Sequence, residues 1–310
     1  MEILVDRYLF NIRIDNFLVK KLFIPYSLVQ GLIRKGKIKI GRSKLKANYI
    51  VKEGDVITLY YNIEQEKEER KQDFIDKGLV TKFFKNNTLL DTDSFIIIKK
   101  PHGIPSQGGV DIKNSIDKIA KTYDENWRIV HRLDKETSGI MVIAKTQLDA
   151  QELSKLIRER RIQKYYIGIV HGRLTEKQKI ETVQKKEGYI FQTYDNGIIP
   201  DSQIAITELY PIILEKNPID KTIVIFKIIT GRTHQIRSQM SFLQHPLLGD
   251  TKYGIRDGFS RLSLHHVEVR FFLKDQSYKC RSMPDFLEKI FDMESIPYII
   301  DKINKSLDKI

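Results

Sequence analysis

The sequence predicts an α+β protein in two parts: a small basic helix–helix–sheet module, then a larger domain built on a mixed or antiparallel sheet. Three observations predict it. A length of 310 residues accommodates two domains of ordinary size. Residues 64–72 (EQEKEERKQ) form a run without one apolar side chain, which suits a solvated helix or linker and bounds a domain. Beyond it, strand patterns are many and helical ones few, unlike the regular alternation of a doubly wound sheet. The expected boundaries are residues 1–63 for the module, 64–85 for a charged linker and 86–310 for the large domain.

In the module, Ile14, Phe17, Leu18 and Leu22 recur at helical spacing and stop before Pro25. A second helix follows, with Ser27 as its N-cap, Val29, Leu32 and Ile33 on one face and Gly36 past its end. Ile38, Lys39 and Ile40 alternate as a short strand, and the turn Gly54–Asp55 leads into a strand over 56–59. In the large domain, strands are expected over 95–98, 140–144, 165–170, 222–229 and 262–271. Helices are expected over 147–160, with Leu153, Leu156 and Ile157 on one face, and over 233–243, with Ile236, Met240 and Leu243.

Composition narrows the function. Lysine and arginine number 53 against 40 acidic residues, a formal charge of +13 with a pI near 9.5, which points to an anionic partner such as nucleic acid. A hydrophobic share of 41% is enough for real cores and excludes wholesale disorder. The single cysteine, Cys280, excludes an internal disulfide framework and thiolate-cluster zinc sites. No run approaches eighteen apolar residues, and the first twenty residues carry Glu2, Asp6 and Asp15 without an apolar signal core. A cytoplasmic protein, acting as a monomer and without a membrane, is expected.

Two patterns carry little chemistry. Residues 31–37 (GLIRKGK) fit the skeleton of a phosphate-binding loop, but Ile38 stands where Ser or Thr is required and the segment runs from helix into strand, the reverse of that motif. The seven histidines show no two-ligand metal spacing, and His265 and His266 face opposite ways on a strand, so no metal is expected. By contrast, Arg34, Lys35, Lys37 and Lys39, continued by Arg42, Lys44 and Lys46, form a dense cationic edge suited either to solvent or to tracking a phosphate backbone.

That module resembles the αL RNA-binding domain of a small-subunit ribosomal protein and of several RNA-modifying enzymes, through Arg13-Ile14-Asp15, Ser27, 32–36 (LIRKG) and Gly54-Asp55. It departs at Leu28, where an arginine is often found, and at Ile40-Gly41.

The strongest signal is 131–140 (HRLDKETSGI), a carboxylate between an arginine and a Thr-Ser-Gly turn ahead of an apolar strand. Taken alone, Asp134 could stabilise that turn by accepting the amides of Thr137 or Ser138. The whole string resembles the signature of the RluA/RluC/RluD family of RNA pseudouridine synthases. The resemblance implies a pseudouridine synthase catalytic domain that isomerises uridine without a cofactor, with Asp134 as the catalytic aspartate. Further blocks follow in the family's order: 99–104 (KKPHGI), 164–168 (KYYIG), which makes Tyr166 the active-site tyrosine, and 231–237 (GRTHQIR), continued by His245-Pro246 and by Gly249-Asp250 with Tyr253-Gly254. Ser238-Gln239 departs from the common Val-His, a change expected to alter packing and not chemistry. The likeness extends from Arg13 to about Phe286. The segments 105–109 and 13–18 look closest to the RluC branch, which implies 23S ribosomal RNA of the large subunit as the partner.

Breaking a glycosidic bond and remaking it to carbon requires a flipped uridine, at a cost of a few kcal/mol, and a charged carboxylate. Burial opposes that charge and a cation supports it; Arg237 is the candidate partner. Asp134 would act as nucleophile or general base, and Tyr166 would stack on the base or move a proton. Lys100, His131, Arg132, Arg232 and His234 are the candidates for substrate contact near it, although His131, His234 and His245 also suit bracing of loops. The competing reading is a non-catalytic RNA-binding or ribosome-assembly factor on the same fold, which would not need Asp134, Tyr166 and Arg237 together.

Overall fold

The computed structural model describes the chain except residues 6–9, 23, 25, 42, 62–75, 109–113, 196, 198 and 215–219, and the side chains of Ser27 and Lys44. The run 64–72, Arg42, the Lys44 side chain and Pro25 therefore lie outside the described residues. The chain divides into two compact units, Met1–Ile75 with Gly108–Lys113, and Asp76–Gln107 with Asn114–Ile310.

In the first unit, β1 (Glu2–Leu4) precedes helices α1 (Ile14–Leu22) and α2 (Tyr26–Arg34), and β2 (Ile38–Ile40), β3 (Ser43–Lys44) and β4 (Val56–Leu59) follow. The sheet order is β1-β4-β2-β3. Ile14, Phe17 and Leu18 of α1 meet Val29 and Leu32 of α2 over Ile38 and Ile57 of the sheet. Asp15 is fully buried and stitches the helices together: its carboxylate accepts from Arg13 Nη2 (2.7 Å), Tyr26 Oη (2.8 Å) and Gln30 Nε2 (2.7 Å). Burial alone would raise this carboxyl, but the bonds from Arg13 and Tyr26 outweigh it and hold it below the usual range. α2 starts at Tyr26, so Ser27 lies in its first turn and not at the N-cap position. Arg34, Lys35, Lys37 and Lys46 are exposed, and Lys39 lies 5.3 Å over the Tyr60 ring.

The second unit opens with α3 (Lys77–Asn87), which corrects the linker expected over 64–85: from Asp76 onward that stretch belongs to the large unit. Asp76 accepts from the Leu79 amide as N-cap, and Val80 and Phe84, four apart, bury against it, with Phe84 set against Tyr123 and Trp127. Two buried positions in a polar helix leave little periodicity to read.

An eleven-stranded sheet runs through the rest of the unit. Its strands are β5 (Thr88–Asp91), β6 (Phe95–Lys100), β7 (Arg128–Ile129), β8 (Ser138–Ala144), β9 (Gln163–His171), β10 (Gln178–Glu187), β11 (Ile190–Tyr194), β12 (Gln203–Ile212), β13 (Lys221–Ile228), β14 (Leu264–Leu273) and β15 (Gln276–Arg281). The order is β11-β10-β12-β13-β9-β14-β8-β6-β5, with β15 on β14 and β7 on β8. Every pair is antiparallel except β14 with β8. At that parallel seam Gly139 opposes His266, and a Cβ on Gly139 would lie 2.4 Å from the His266 carbonyl oxygen at a φ of +113°, so only glycine lets the strands close there. Helices α4 (Ile116–Tyr123), α5 (Gln147–Arg158), α6 (Gln235–Phe242) and α7 (Ile296–Lys309) complete the unit. Leu153 and Leu156 of α5 share a core with Phe95, Ile140 and Val142, while Ile299, Ile303 and Leu307 of α7 pack with Tyr165, Ile167 and Ile225.

Candidate active site

Asp134 sits on the loop between β7 and β8, and that loop is pinned from several sides. Ser106 Oγ donates to the Leu133 carbonyl (2.6 Å) and accepts from the Leu133 amide (2.8 Å). The Gly103 amide donates to the Lys135 carbonyl (2.9 Å), and the Thr137 amide donates to the backbone carbonyl of Asp134 (3.1 Å). The turn is thus held by main chain. The Asp134 side chain does not serve as its staple, contrary to the turn-stabilising alternative, and its carboxylate, 19% exposed, faces an open cleft.

Arg237, one turn into α6, does not take Asp134 as its main partner, which corrects the expected pairing. Its Nε and Nη2 bind Asp250 in a fork, at 2.8 and 2.7 Å, while Nη1 points toward Asp134 Oδ2 at 3.9 Å. Two parallel bonds to one carboxylate fix the guanidinium plane more firmly than a single contact would. Asp250 also accepts the amides of Lys252 and Tyr253, both at 3.0 Å. The preceding Gly249, at φ +71°, is fixed by sterics: a Cβ there would come within 1.9 Å of the Arg261 carbonyl oxygen. His234 caps α6 from the left-handed region at φ +54°, with Nδ1 2.8 Å from Tyr253 Oη and Nε2 3.8 Å from Asp134 Oδ1. Tyr253 Oη accepts from the Phe191 amide (3.0 Å). With one lone pair of Tyr253 Oη taken by Phe191, its hydroxyl can donate to His234 Nδ1, the arrangement that places the ring proton on Nε2, facing Asp134. Burial pushes His234 down despite the nearby carboxylate, so the ring is neutral.

Tyr166 lies on β9 and its ring stacks on His266 of β14, with centroids 4.6 Å apart and planes 14° from parallel. Burial, and then the charge of Asp134, drives its phenol strongly upward, so the hydroxyl stays protonated. His266 donates from Nδ1 to the Ile140 carbonyl (2.6 Å), and burial pushes its pKa down to about 3. Its neighbour His265 faces the other way, to Ser138 Oγ (2.8 Å) and the Ser282 carbonyl.

The cleft, about 440 Å³, is lined among the described residues by six cations, Arg132, Arg158, Arg160, Lys164, Arg232 and Arg237, and by a single carboxylate, Asp134. Arg132 is exposed there, and Arg232 donates to the Ile204 carbonyl (2.9 Å) while lining the wall. One expected substrate contact is corrected, at Lys100. His131 does line the cleft; its Nε2 accepts the Val142 amide (2.9 Å), and burial holds it well below its ordinary value, so it braces β8 as a neutral ring. Lys100 is fully buried; its Nζ donates to the carbonyls of Pro101 (3.0 Å), Ile104 (2.7 Å) and Lys135 (3.2 Å), and burial pushes it down to about 8. Lys100→Met should leave those carbonyls short of a donor and cost about 2–4 kcal/mol. Its RNA-binding salt slope should equal that of the wild type, because no phosphate contact is removed. A shallower slope with an unchanged melting temperature would reverse the assignment.

Asp250, Tyr253 and His266 were not among the residues singled out as functional, although the first two stand in the quoted 249–254 string. No group of three His, Cys, Asp or Glu side chains among the described residues could hold a metal, and no described helix is long and apolar enough to cross a membrane. Ser238 and Gln239, which depart from the common pattern, are buried: Gln239 bonds Thr207 Oγ1 (2.6 Å), Thr182 Oγ1 (2.9 Å) and the Ala205 carbonyl, tying α6 to β10 and β12 by polar contacts.

Comparison with known proteins gives consistent matches. Residues 94–242 match the RNA pseudouridylate synthase family model, and residues 12–57 match the S4 domain. A Haemophilus influenzae protein described as ribosomal large subunit pseudouridine synthase C is 31% identical over 278 residues, 84% of this chain and 83% of its own. A protein of the same description from Buchnera aphidicola subsp. Schizaphis graminum is 32% identical over 289 residues, 87% of this chain and 88% of its own. Among solved structures, human RNA pseudouridylate synthase domain containing 1 shares the fold, with a TM-score of 0.55 at 21% identity, over 66% of this chain and 86% of that one. An S4 domain followed by this sheet and its one-carboxylate, cation-lined cleft defines an RNA-modifying enzyme with RNA as its partner. The chain belongs to the RNA pseudouridylate synthase family.

Proposed function

We propose that this chain converts specific uridines of large-subunit (23S) ribosomal RNA to pseudouridine, with Asp134 as the catalytic carboxylate and Tyr166 and Arg237 acting beside it. The reaction breaks the N1–C1′ bond, forms C5–C1′, takes a proton from C5 and returns one to N1. It is redox-neutral, and the reading requires no cofactor. The observation that carries it is the lone carboxylate in a cleft of six cations, its oxygens left without a strong hydrogen bond while Arg237 Nη1 and His234 Nε2 stand 3.9 and 3.8 Å away. Such a carboxylate keeps its lone pairs open, which a nucleophile or base needs. Tyr166, backed on one face by His266, is a flat protonated surface for a flipped uracil. The descriptions of the relatives support ribosomal RNA as the substrate.

Within this reading the chain works as a cytoplasmic monomer, residues 1–63 clamp RNA and the large unit from Asp76 onward carries the chemistry. Mapping pseudouridines in ribosomal RNA from cells with and without the gene tests it: sites lost on deletion and restored by the plasmid-borne gene are expected, and an unchanged large-subunit map would refute it. The clamp makes its own prediction. Replacing Arg34, Lys35 and Lys37 together by Gln should flatten the salt dependence of RNA binding by a slope of about 2, near 0.7 per lost single-strand phosphate contact. Turnover of bound RNA should be unchanged. An identical slope would show that the edge is only solvated surface.

A further inference from the structure

Helix α5 ends beside the cleft in an arrangement that sorts charge. The Arg161 amide donates to the Leu156 carbonyl (2.9 Å) and the Arg160 amide to the Ile157 carbonyl (3.1 Å), the paired bonds of a Schellman ending. Its left-handed position, where glycine is favoured, is held by Arg160 at φ +57°. Glu159 turns to Arg161 (3.5 Å) and Lys155 (4.0 Å), neither of which lines the cleft. Arg158 and Arg160, on either side of it, do line the cleft; both are exposed, and among the described residues neither has an acidic partner. Strain held at a binding mouth by an uncompensated cation calls for an anion that the protein does not itself supply.

We infer that Arg158 and Arg160 form a phosphate clamp on the α5 side of the cleft, gripping the RNA backbone next to the uridine that enters toward Asp134. The inference rests on the proposed reaction for its substrate and adds two positioning residues to it. With Asp134 and Tyr166 at the floor, a flipped nucleotide must leave its flanking phosphates at the mouth, where these guanidinium groups stand. A planar fork on each phosphate restricts how the strand can lie, so the clamp sets register as well as affinity.

Arg160→Gly offers a sharp test, because it removes the cation while giving the helix ending its favoured residue. Arg158→Gln, on the helix itself, is the second variant. Full-length proteins are compared on an unmodified large-subunit ribosomal RNA transcript, by salt-titrated binding and by pseudouridine formation. Arg160→Gly should melt at the same temperature as wild type or higher. In each variant the KM should rise about tenfold with kcat within about twofold, and the salt slope should fall by about 0.7. Equal slopes and KM values in both variants would overturn the clamp. A wild type that binds the transcript but forms no pseudouridine would overturn the proposed substrate, and the binding slopes would still decide the clamp.

Discussion

Asp134→Asn should abolish pseudouridine formation while leaving RNA binding and thermal stability close to wild type. The substitution keeps the side chain's size and removes its charge, and an amide is neither a competent nucleophile nor a base. Stability should barely change for a reason visible in the bonding. The carboxylate makes no strong hydrogen bond of its own, the turn is held by the Asp134 main-chain carbonyl, and Arg237 keeps its fork on Asp250. The 3.9 Å approach of Arg237 Nη1 is the chief interaction lost, so a change within about 1 kcal/mol is expected. The measurement is pseudouridine yield per bound RNA, set beside the melting curve. Any turnover by the purified variant, free of wild-type enzyme, would remove Asp134 from the chemistry.

The second large effect is expected at Asp250, which touches no substrate in this reading. Asp250→Asn strands a guanidinium whose side chain is 6% exposed, and breaking a buried pair on one side costs about 3–5 kcal/mol. A fall of roughly 6–15 °C in melting temperature should follow. Below that temperature kcat should still drop by at least about tenfold, because Arg237 is then free to swing onto Asp134 and bond the oxygens that must stay open. The double variant Arg237→Met with Asp250→Leu separates the effects: it should recover stability, since apolar side chains can replace a buried pair, and recover no activity. The pair also predicts a pH dependence. Burial would raise the Asp250 carboxyl, but the Arg237 fork outweighs it and holds the group below its ordinary value. Its contribution to stability is therefore present above the unfolded-state value and lost as pH falls through the folded one. Asp250→Asn should lack that part of the acid limb; an unchanged limb would show that the pair is not the titrating element.

What the sequence determined by itself follows from local physics. The helical spacing of Ile14, Phe17 and Leu18, the alternation at Ile38–Ile40 and the apolar runs that became β6, β8, β9, β13 and β14 were legible because each buries a regular face. The Asp134 string, the strand that carries Tyr166 and the turn into α6 were legible as motifs. Less was readable elsewhere: β10 (QKIETVQKKE) hides its buried positions among charges, β12 (QIAITELYPI) carries apolar residues at its less buried positions as well, and α3 has only two buried positions. The helix α7 carries an equally regular period at Ile296, Ile299, Ile303 and Leu307.

Partnership was the part that only tertiary structure decided. Arg237 and Asp250 are thirteen residues apart, and Tyr166 and His266 a hundred; which cation takes which carboxylate depends on how the chain turns back after α6, and which ring backs which depends on β9 pairing with β14. Lys100 and Arg160 show the same limit in opposite directions, since both are basic residues with nothing in the local sequence to tell them apart. Lys100 is buried with three backbone carbonyls and Arg160 is exposed at the cleft. A side chain's charge is written in the sequence, but its desolvation and its partners are set by what the fold packs around it, and these decide whether the charge braces the protein or meets the RNA.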